Sequence, residues 1–336
     1  MKKKSTFLLL ILLVGSPLTV KAQSSKHVAT ITRIFGKVKI LVNPRPQVQG
    51  KGPHVLVEDQ YYTLLKGKKG MKIPENTLIQ TSRAARVRII YENGDQFSVG
   101  SNTSYVVNTA GNKQEKKTVM KLFFGTIRST IEKGGPRADL EVKTRTMSMG
   151  VRGTDFHVST LAKAGGTAIT VLRGKVAVKD VSQKNAKPVI IPRGFSAEVK
   201  ATPKPTTEKS KKIAAPPPPL IVLEKTTKEK LVKVQKTSQI KKSSDETQSN
   251  DTALAKKLEK LEKLAVKVVM KDIKAEDPKL YEDLQKSDKS LDDIDAIQTE
   301  TVKKAYKEAP KTTKVAKPDE EDLDLSDDEI YDKYFE

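Results

Sequence analysis

The chain has no cysteine and no tryptophan, and aromatic residues make up only 5% of it. Without thiols there is no disulfide, no thiolate nucleophile, no thiolate metal site and no cysteine for a lipid anchor, so stability has to come from packing alone. Histidine is almost as scarce. His27, His54 and His157 are the only three, and their spacing suits no multi-histidine metal centre. No G-x-S-x-G, H-E-x-x-H, phosphate-loop or dinucleotide fingerprint occurs. Scarce aromatics also argue against nucleic-acid binding, in which bases stack on aromatic platforms. These absences point to a protein that is not an enzyme and has no catalytic residues, no metal and no cofactor.

Positive charge is what the chain has in excess: 63 Lys+Arg against 41 Asp+Glu, a formal +22. The charge is segregated. Residues 23–200 hold 31 cations and 12 acids, residues 201–318 hold 27 and 19, and residues 319–336 hold one lysine and 10 acids. A domain this basic attracts anionic polymers and surfaces through a salt-screened field. The same charge would serve a secreted protein simply by keeping it soluble.

Met1 to Ala22 has the three parts of a secretory signal: Lys2, Lys3 and Lys4, the apolar run Phe7 to Val14, then Val20-Lys21-Ala22 before Gln23. The run is shorter than the roughly 20 residues of a spanning helix. The expectation is a signal peptide over 1–22. The mature protein would then be exported to the periplasm or the extracellular side of a bacterial envelope, with no transmembrane segment after signal removal.

Residues 23–200 read as one mainly β domain. Val38, Ile40 and Val42 alternate with Lys37 and Lys39, the period of a half-buried strand. Arg86 to Tyr91 leads into Asn93-Gly94, the strongest short hairpin signal. Further strands are expected over 119–124, 140–143, 168–172, 176–178 and 189–191. Three segments echo one another, Phe35-Gly36-Lys37-Val38, Phe124-Gly125-Thr126-Ile127 and Arg173-Gly174-Lys175-Val176. In each the glycine would permit a bend or bulge at a strand start. Their unequal spacing rules out a fixed-period solenoid and favours a compact two-sheet wrap of short strands.

One stretch is more specific than its composition: Glu141 to Val158, EVKTRTMSMGVRGTDFHV, with Gly150, Arg152, Gly153, Thr154, Asp155 and Phe156 at its centre. It closely resembles the signature of the FecR domain of the bacterial envelope. Gly36-Lys37-Val38, Thr81-Ser82, Asn93-Gly94-Asp95, Gly100 to Thr103, Leu122 to Arg128, Gly174 and Pro192-Arg193-Gly194 follow in that domain's order. Within the signature, Arg152 and Asp155 lie close enough along a tight turn to pair. Gly153 would take a conformation other residues resist, and the Thr154 hydroxyl could satisfy a turn amide. Two roles stay open: fixing a corner that seats Phe156 and Val158 in the core, or binding, with Arg152 gripping a carboxylate or phosphate in a bidentate fork. His157, beside Asp155, has the beginning of an acid/base pair, although a solvated or structurally bonded histidine is the default.

Beyond residue 200 the composition predicts a largely disordered, partly helical tail. Residues 201–250 are a Lys/Pro/Ser/Thr-rich linker with Pro216 to Pro219 as a polyproline stretch and a short apolar patch at Leu220 to Leu223, either a docking segment or a stray run. Residues 251–310 are helical segments with no evident common core. Leu254, Leu258, Leu261, Ala265 and Val268 predict a helix over 252–271, Asp277-Pro278 starts another, and Ser290 with Asp293 resembles a capping box before Ile294. Residues 311–336 are an acidic tail that is either solvated or competes for the basic face.

The functional expectation is a non-enzymatic exported envelope protein whose basic domain binds an anionic cell-wall or outer-membrane component or a protein partner, and no nucleic acid. The resemblance implies an alternative, a periplasmic sensor or regulator in FecR-type signalling. Such a component would act indirectly, because the signal sequence stands where an anti-sigma segment and a spanning helix would be required.

Overall fold

Apolar residues at every second position build 18 strands in the computed structural model, which describes residues 27–48, 50–110, 117–137, 139–161, 166–182, 187–200, 221–240, 252–286 and 293–309. The expected signal peptide, polyproline stretch and acidic tail lie outside the described residues. The chain alternates between two layers. β1 (His27–Phe35) lies in sheet 1, while β2 (Val38–Arg45), β3 (His54–Val57) and β4 (Gln60–Lys66) lie in sheet 2. β5 (Lys72–Pro74) is in sheet 1, β6 (Leu78–Thr81) in sheet 2, β7 (Arg86–Tyr91) and β8 (Gln96–Val99) in sheet 1, and β9 (Ser104–Ala110) in sheet 2.

β10 (Lys117–Thr130) belongs to both layers. Its first part pairs with β9 in sheet 2 and its last part, from Ile127, with β8 in sheet 1. β11 (Leu140–Lys143) and β12 (Met147–Val151) then extend sheet 2, and β13 (Asp155–Thr160) and β14 (Thr167–Arg173) extend sheet 1. β15 (Lys175–Asp180) and β16 (Val189–Pro192) return to sheet 2, and β17 (Phe195–Val199) and β18 (Val222–Lys225) to sheet 1.

The order in sheet 1 is therefore β5-β1-β7-β8-β10-β13-β14-β17-β18, antiparallel throughout, and in sheet 2 it is β3-β4-β2-β6-β9-β10-β11-β12-β15-β16, with β10–β11 the one parallel pair among them. Joined through β10, the strands form a single hydrogen-bonded network folded into a mainly β, two-sheet architecture. The echoed glycines mark its corners: Gly36, Gly125 and Gly174 have φ of +73°, +103° and +77°, and at each the chain passes from one sheet to the other. Inward residues of both sheets, among them Ile31, Ile40, Val87, Phe97, Tyr105, Met120, Phe156 and Val176, make one buried core.

A third layer covers the outer face of sheet 1. It consists of α1 (Lys228–Ser238), α2 (Thr252–Glu276), α3 (Pro278–Lys286) and α4 (Ile294–Glu308). Two expectations are corrected by it. The helical segments do share a core, built from Ala265, Val266, Val269, Ile273, Leu280, Leu284, Ile294 and Ile297, with Ile90 of β7 as its buried sheet residue. The stretch 201–250, read as linker, contains β18 and α1; Val222 and Leu223 of the apolar patch dock in an edge strand on β17, and Leu231 and Val234 pack on Leu172. α4 is capped by Asp293, a member of the expected box, whose carboxylate accepts the Asp295 N–H at 2.9 Å; Ser290, the other member, lies outside the described residues. α3 starts at Asp277-Pro278 as expected, with the Asp277 carboxylate accepting the Leu280 N–H at 3.0 Å.

Candidate recognition face

On sheet 1 the residues turned away from the core are mostly polar, and the register aligns them across the whole layer. Arg33 opposes Arg88, Arg88 opposes Ser98, Ser98 opposes Arg128, and Arg128 opposes His157. The row continues through Thr170 and Ser196 to Glu224. A second row runs Ile90, Gln96, Thr130, Asp155, Arg173. Arg33, Arg88, Arg128 and Arg173 are each no more than 3% exposed. Guanidinium groups buried to that extent require carboxylates.

The helices supply most of them. Glu262 of α2 accepts a fork from Arg33, Nε at 2.9 Å and Nη2 at 3.1 Å. Asp295, in the first turn of α4, bridges Arg33 and Arg88 and so offsets the repulsion of two like charges directly opposite on neighbouring strands. Asp293 approaches Arg33 at 3.4 Å. At the other end of α2, Glu276 lies 3.0 Å and Asp272 3.4 Å from Arg173. Burial acts to lower the Arg33 pKa, but Glu262, Asp295 and Asp293 together raise it above the ordinary arginine value. Burial pushes Asp272 up against the opposing pull of Arg173 and the Lys133 N–H.

Arg128 is satisfied within the sheet. Its Nε and Nη2 donate to the two Asp155 oxygens at 2.9 and 2.7 Å, and its Nη1 donates to the Gln298 carbonyl of α4 at 3.4 Å. The signature is thereby rearranged from the sequence expectation: Asp155 pairs with Arg128 across the strands, while Arg152 is exposed at the corner between β12 and β13. Nor does the Thr154 hydroxyl satisfy a turn amide. It is buried without a hydrogen-bond partner among the described residues, and the Thr154 carbonyl accepts the Ile131 N–H at 2.9 Å. Gly153 has φ +62°, and a Cβ there would sit 2.6 Å from Lys133 Cβ. Gly150 lies in β12 between Glu141 and Ala177, and Phe156 and Val158 are fully buried between the sheets.

His157 faces the helices, 4% exposed, with Nε2 3.0 Å from Thr237 Oγ1 of α1. Burial, then Arg128, then Lys233 lower its pKa to about 3. A neutral imidazole whose neighbouring carboxylate is held by Arg128 is not an acid/base pair. It does have a consequence for stability. The folded value lies below the ordinary 6.5, so the contribution is complete above pH 6.5 and is withdrawn as pH falls toward 3. At about 1.4 kcal/mol for each pH unit between those values, several kcal/mol are at stake. Hydrogen exchange should show the α1 amides losing protection between pH 6 and 4 before those of β13 and β14. In His157→Leu that early loss should flatten; an unchanged profile would assign it to other groups.

Residues 77–177 match the family model described as FecR protein. The chain carries a FecR domain. The matched segment of this FecR domain supplies β7, β8, β10, β13 and β14, and hence Arg88, Ser98, Arg128, Asp155, His157 and Arg173 of the two rows. Arg33 and all the helical carboxylates lie outside it. Two solved structures of a candidate anti-sigma factor from Parabacteroides distasonis ATCC 8503 are similar to the chain at 15% and 14% identity, with TM-scores of 0.33 and 0.34. Each comparison covers 44% of this chain and 59% of the solved one, so the chain spans less than two thirds of those proteins. Likeness that distant carries no functional argument. No curated protein matches the chain.

The arginine rows were not foreseen from sequence, although a signal was present. All 11 arginines fall between Arg33 and Arg193, and every cation after residue 200 is lysine. Arginine is the side chain suited to buried, bidentate carboxylate contacts, and Arg86-Val87-Arg88-Ile89 already placed it on the face opposite the core.

Proposed function

We propose that the protein is a non-enzymatic recognition component of FecR-type signalling at the bacterial envelope, and that its FecR domain binds an acidic protein surface. The observation that carries this is the arginine-lined outer face of sheet 1, which already engages Glu262, Asp272, Glu276, Asp293 and Asp295 through oriented contacts. Binding through oriented guanidinium forks selects shape as well as charge. A non-catalytic role is supported by the state of the likeliest chemistry: His157 is held neutral and Asp155 is locked to Arg128. Beside His157 a cleft of about 210 Å³ is lined by Ser159, Thr170, Ser196, Lys230 and Lys233. No helix among the described residues is long and apolar enough to cross a membrane.

A second reading, attachment to an anionic envelope polymer, is favoured by the outer face of sheet 2. There Lys121 opposes Lys143, both about 45% exposed at the side chain, and the row continues through Ser148 to Lys179. Salt separates the two. Full-length protein immobilised and exposed to the organism's envelope fraction should retain a discrete protein through a high-salt wash. Recovery of polymer alone, released as salt rises, would replace partner recognition with simple electrostatics.

A further inference from the structure

We propose that the outer face of sheet 1 is a docking surface for an acidic helix of a partner protein, laid across the strands, and that α2 and α4 occupy this surface until the partner arrives. The proposal rests on the reading that the FecR domain recognises a protein. It names the surface, the geometry and the chemistry of what binds.

Helix and sheet meet in an unusual way for a permanent core. The buried apolar cluster of α2, α3 and α4 includes one residue of the sheet, Ile90. A separate small cluster sets Leu172 against α1 and Val302 of α4. Between these points the contact includes Arg33, Arg88, Arg128 and Arg173 against Glu262, Asp272, Glu276, Asp295 and the Gln298 carbonyl. The helical layer thus holds itself together through its own apolar residues and meets the sheet in large part through charge. A polar contact of this kind is the character of interfaces that open and close.

The spacing of the carboxylates follows from the sheet. From β1, which carries Arg33, to β14, which carries Arg173, there are five inter-strand steps through β7, β8, β10 and β13, or about 24 Å. In α2 the acids that meet these two arginines are Glu262 at one end and Asp272 and Glu276 at the other. Ten to fourteen helical residues rise about 15–21 Å, which long arginine side chains close to the full span. One straight helix crossing the strands therefore reads both cation sites with carboxylates at positions i, i+10 and i+14.

The chain's own helices leave the middle of the face underfilled. Arg88 Nε and Nη1 and Ser98 Oγ are buried with no hydrogen-bond partner among the described residues, and Asp295, the acid that meets Arg88, is itself shared with Arg33. Unfilled donors at the centre of a buried charged row favour exchange for an occupant that supplies another carboxylate there. The partner that fits is an amphipathic helix with the i, i+10, i+14 acids of α2 and one more acid between them.

A labelled peptide of residues 252–276 tests the surface, with a control in which Glu262, Asp272 and Glu276 are glutamine. The full-length chain should bind the peptide that keeps these three carboxylates weakly, and Asp295→Asn, which loosens the resident cover, should bind it at least ten-fold more tightly. Arg173→Gln in the Asp295→Asn background should reverse that gain, and the glutamine peptide should bind neither. Equal binding of both peptides, or indifference to Arg173→Gln, would overturn the proposal. Hydrogen exchange on the unmodified chain gives an independent outcome: α2 and α4 amides should exchange together, at least ten-fold faster than those of β10 and β13. Exchange of all four only by global unfolding would make the helices a permanent part of the fold and likewise overturn it. If envelope capture fails while the peptide binds, the signalling assignment falls and the docking surface stands; if capture succeeds while the peptide fails, the docking surface falls alone.

Discussion

Asp155→Ala is expected to destabilise the protein by about 3–5 kcal/mol, whereas Arg152→Ala, three residues earlier in the same motif, should change stability by no more than about 0.5 kcal/mol. The two residues differ in what surrounds them. Asp155 closes a two-oxygen fork with Arg128, whose side chain is 0% exposed, and its removal leaves a buried guanidinium facing His157 and the carbonyl of Gln298. Arg152 stands exposed at the corner. Urea melts of the two variants decide the matter, and a comparable loss for both would return Arg152 to the centre of the site. A third variant separates the worth of the pair from the penalty of orphaning one member: Arg128→Met with Asp155→Leu should recover most of the loss, because an apolar pair of similar volume needs no charge compensation.

This contrast also measures how far the motif was legible. The alternation Asp155, Phe156, His157, Val158 gave the correct faces, since strand period is local. The partner of Asp155 was not local: Arg128 is 27 residues away and reaches it only because β10 lies beside β13. Sequence proximity favoured Arg152, and sheet register overrode it. The crossing corners were readable because Gly36, Gly125 and Gly174 repeat one backbone requirement, and the hairpin at Asn93-Gly94 was readable because its turn is encoded in two residues.

The helical layer was less accessible for a physical reason. The amphipathic stripe of α2 predicts a helix, but the burial it achieves is shifted toward Val266, Val269, Asp272 and Ile273. Asp272 is buried there because it answers Arg173, a residue on another element, and no periodicity of apolar residues reports a buried acid. The linker reading of 201–250, which holds α1, rests on Lys, Thr, Ser and Pro with little aliphatic content, a composition that does not offset its ordering entropy. Much of what holds these helices to the sheet is ionic, and a composition scale counts those same charges as reasons for disorder.

Gly125→Ala should be the most damaging single-methyl change in the chain, costing about 3–5 kcal/mol or preventing folding, while Gly134→Ala should cost only about 1 kcal/mol. Both glycines have positive φ, +103° and +73°, so both substitutions strain the backbone. Space separates them. Nothing lies within 4 Å of a Cβ at Gly134, whereas at Gly125 the added carbon would sit 2.4 Å from Thr103 Cα and 2.6 Å from its Cβ. Thr103 has no freedom to retreat. Its Oγ1 accepts the Thr126 N–H at 3.0 Å, its N–H donates to Thr81 Oγ1 at 2.9 Å, and Gly100 N–H donates to the Thr126 carbonyl at 2.9 Å. Two crossings between the sheets, β8 to β9 and the bend of β10, are thus laced together at one point. Pushing them apart would disturb the register of β10 with β8 and β13 at once, and with it the alignment of Arg128 between Ser98 and His157. Gly125→Ala is therefore expected to lower the urea midpoint steeply and to expose α1 and α4 to exchange even where the core survives. Equal midpoints for the two alanine variants would mean that the close approach at Gly125 relaxes without cost and that the corner does not fix the face.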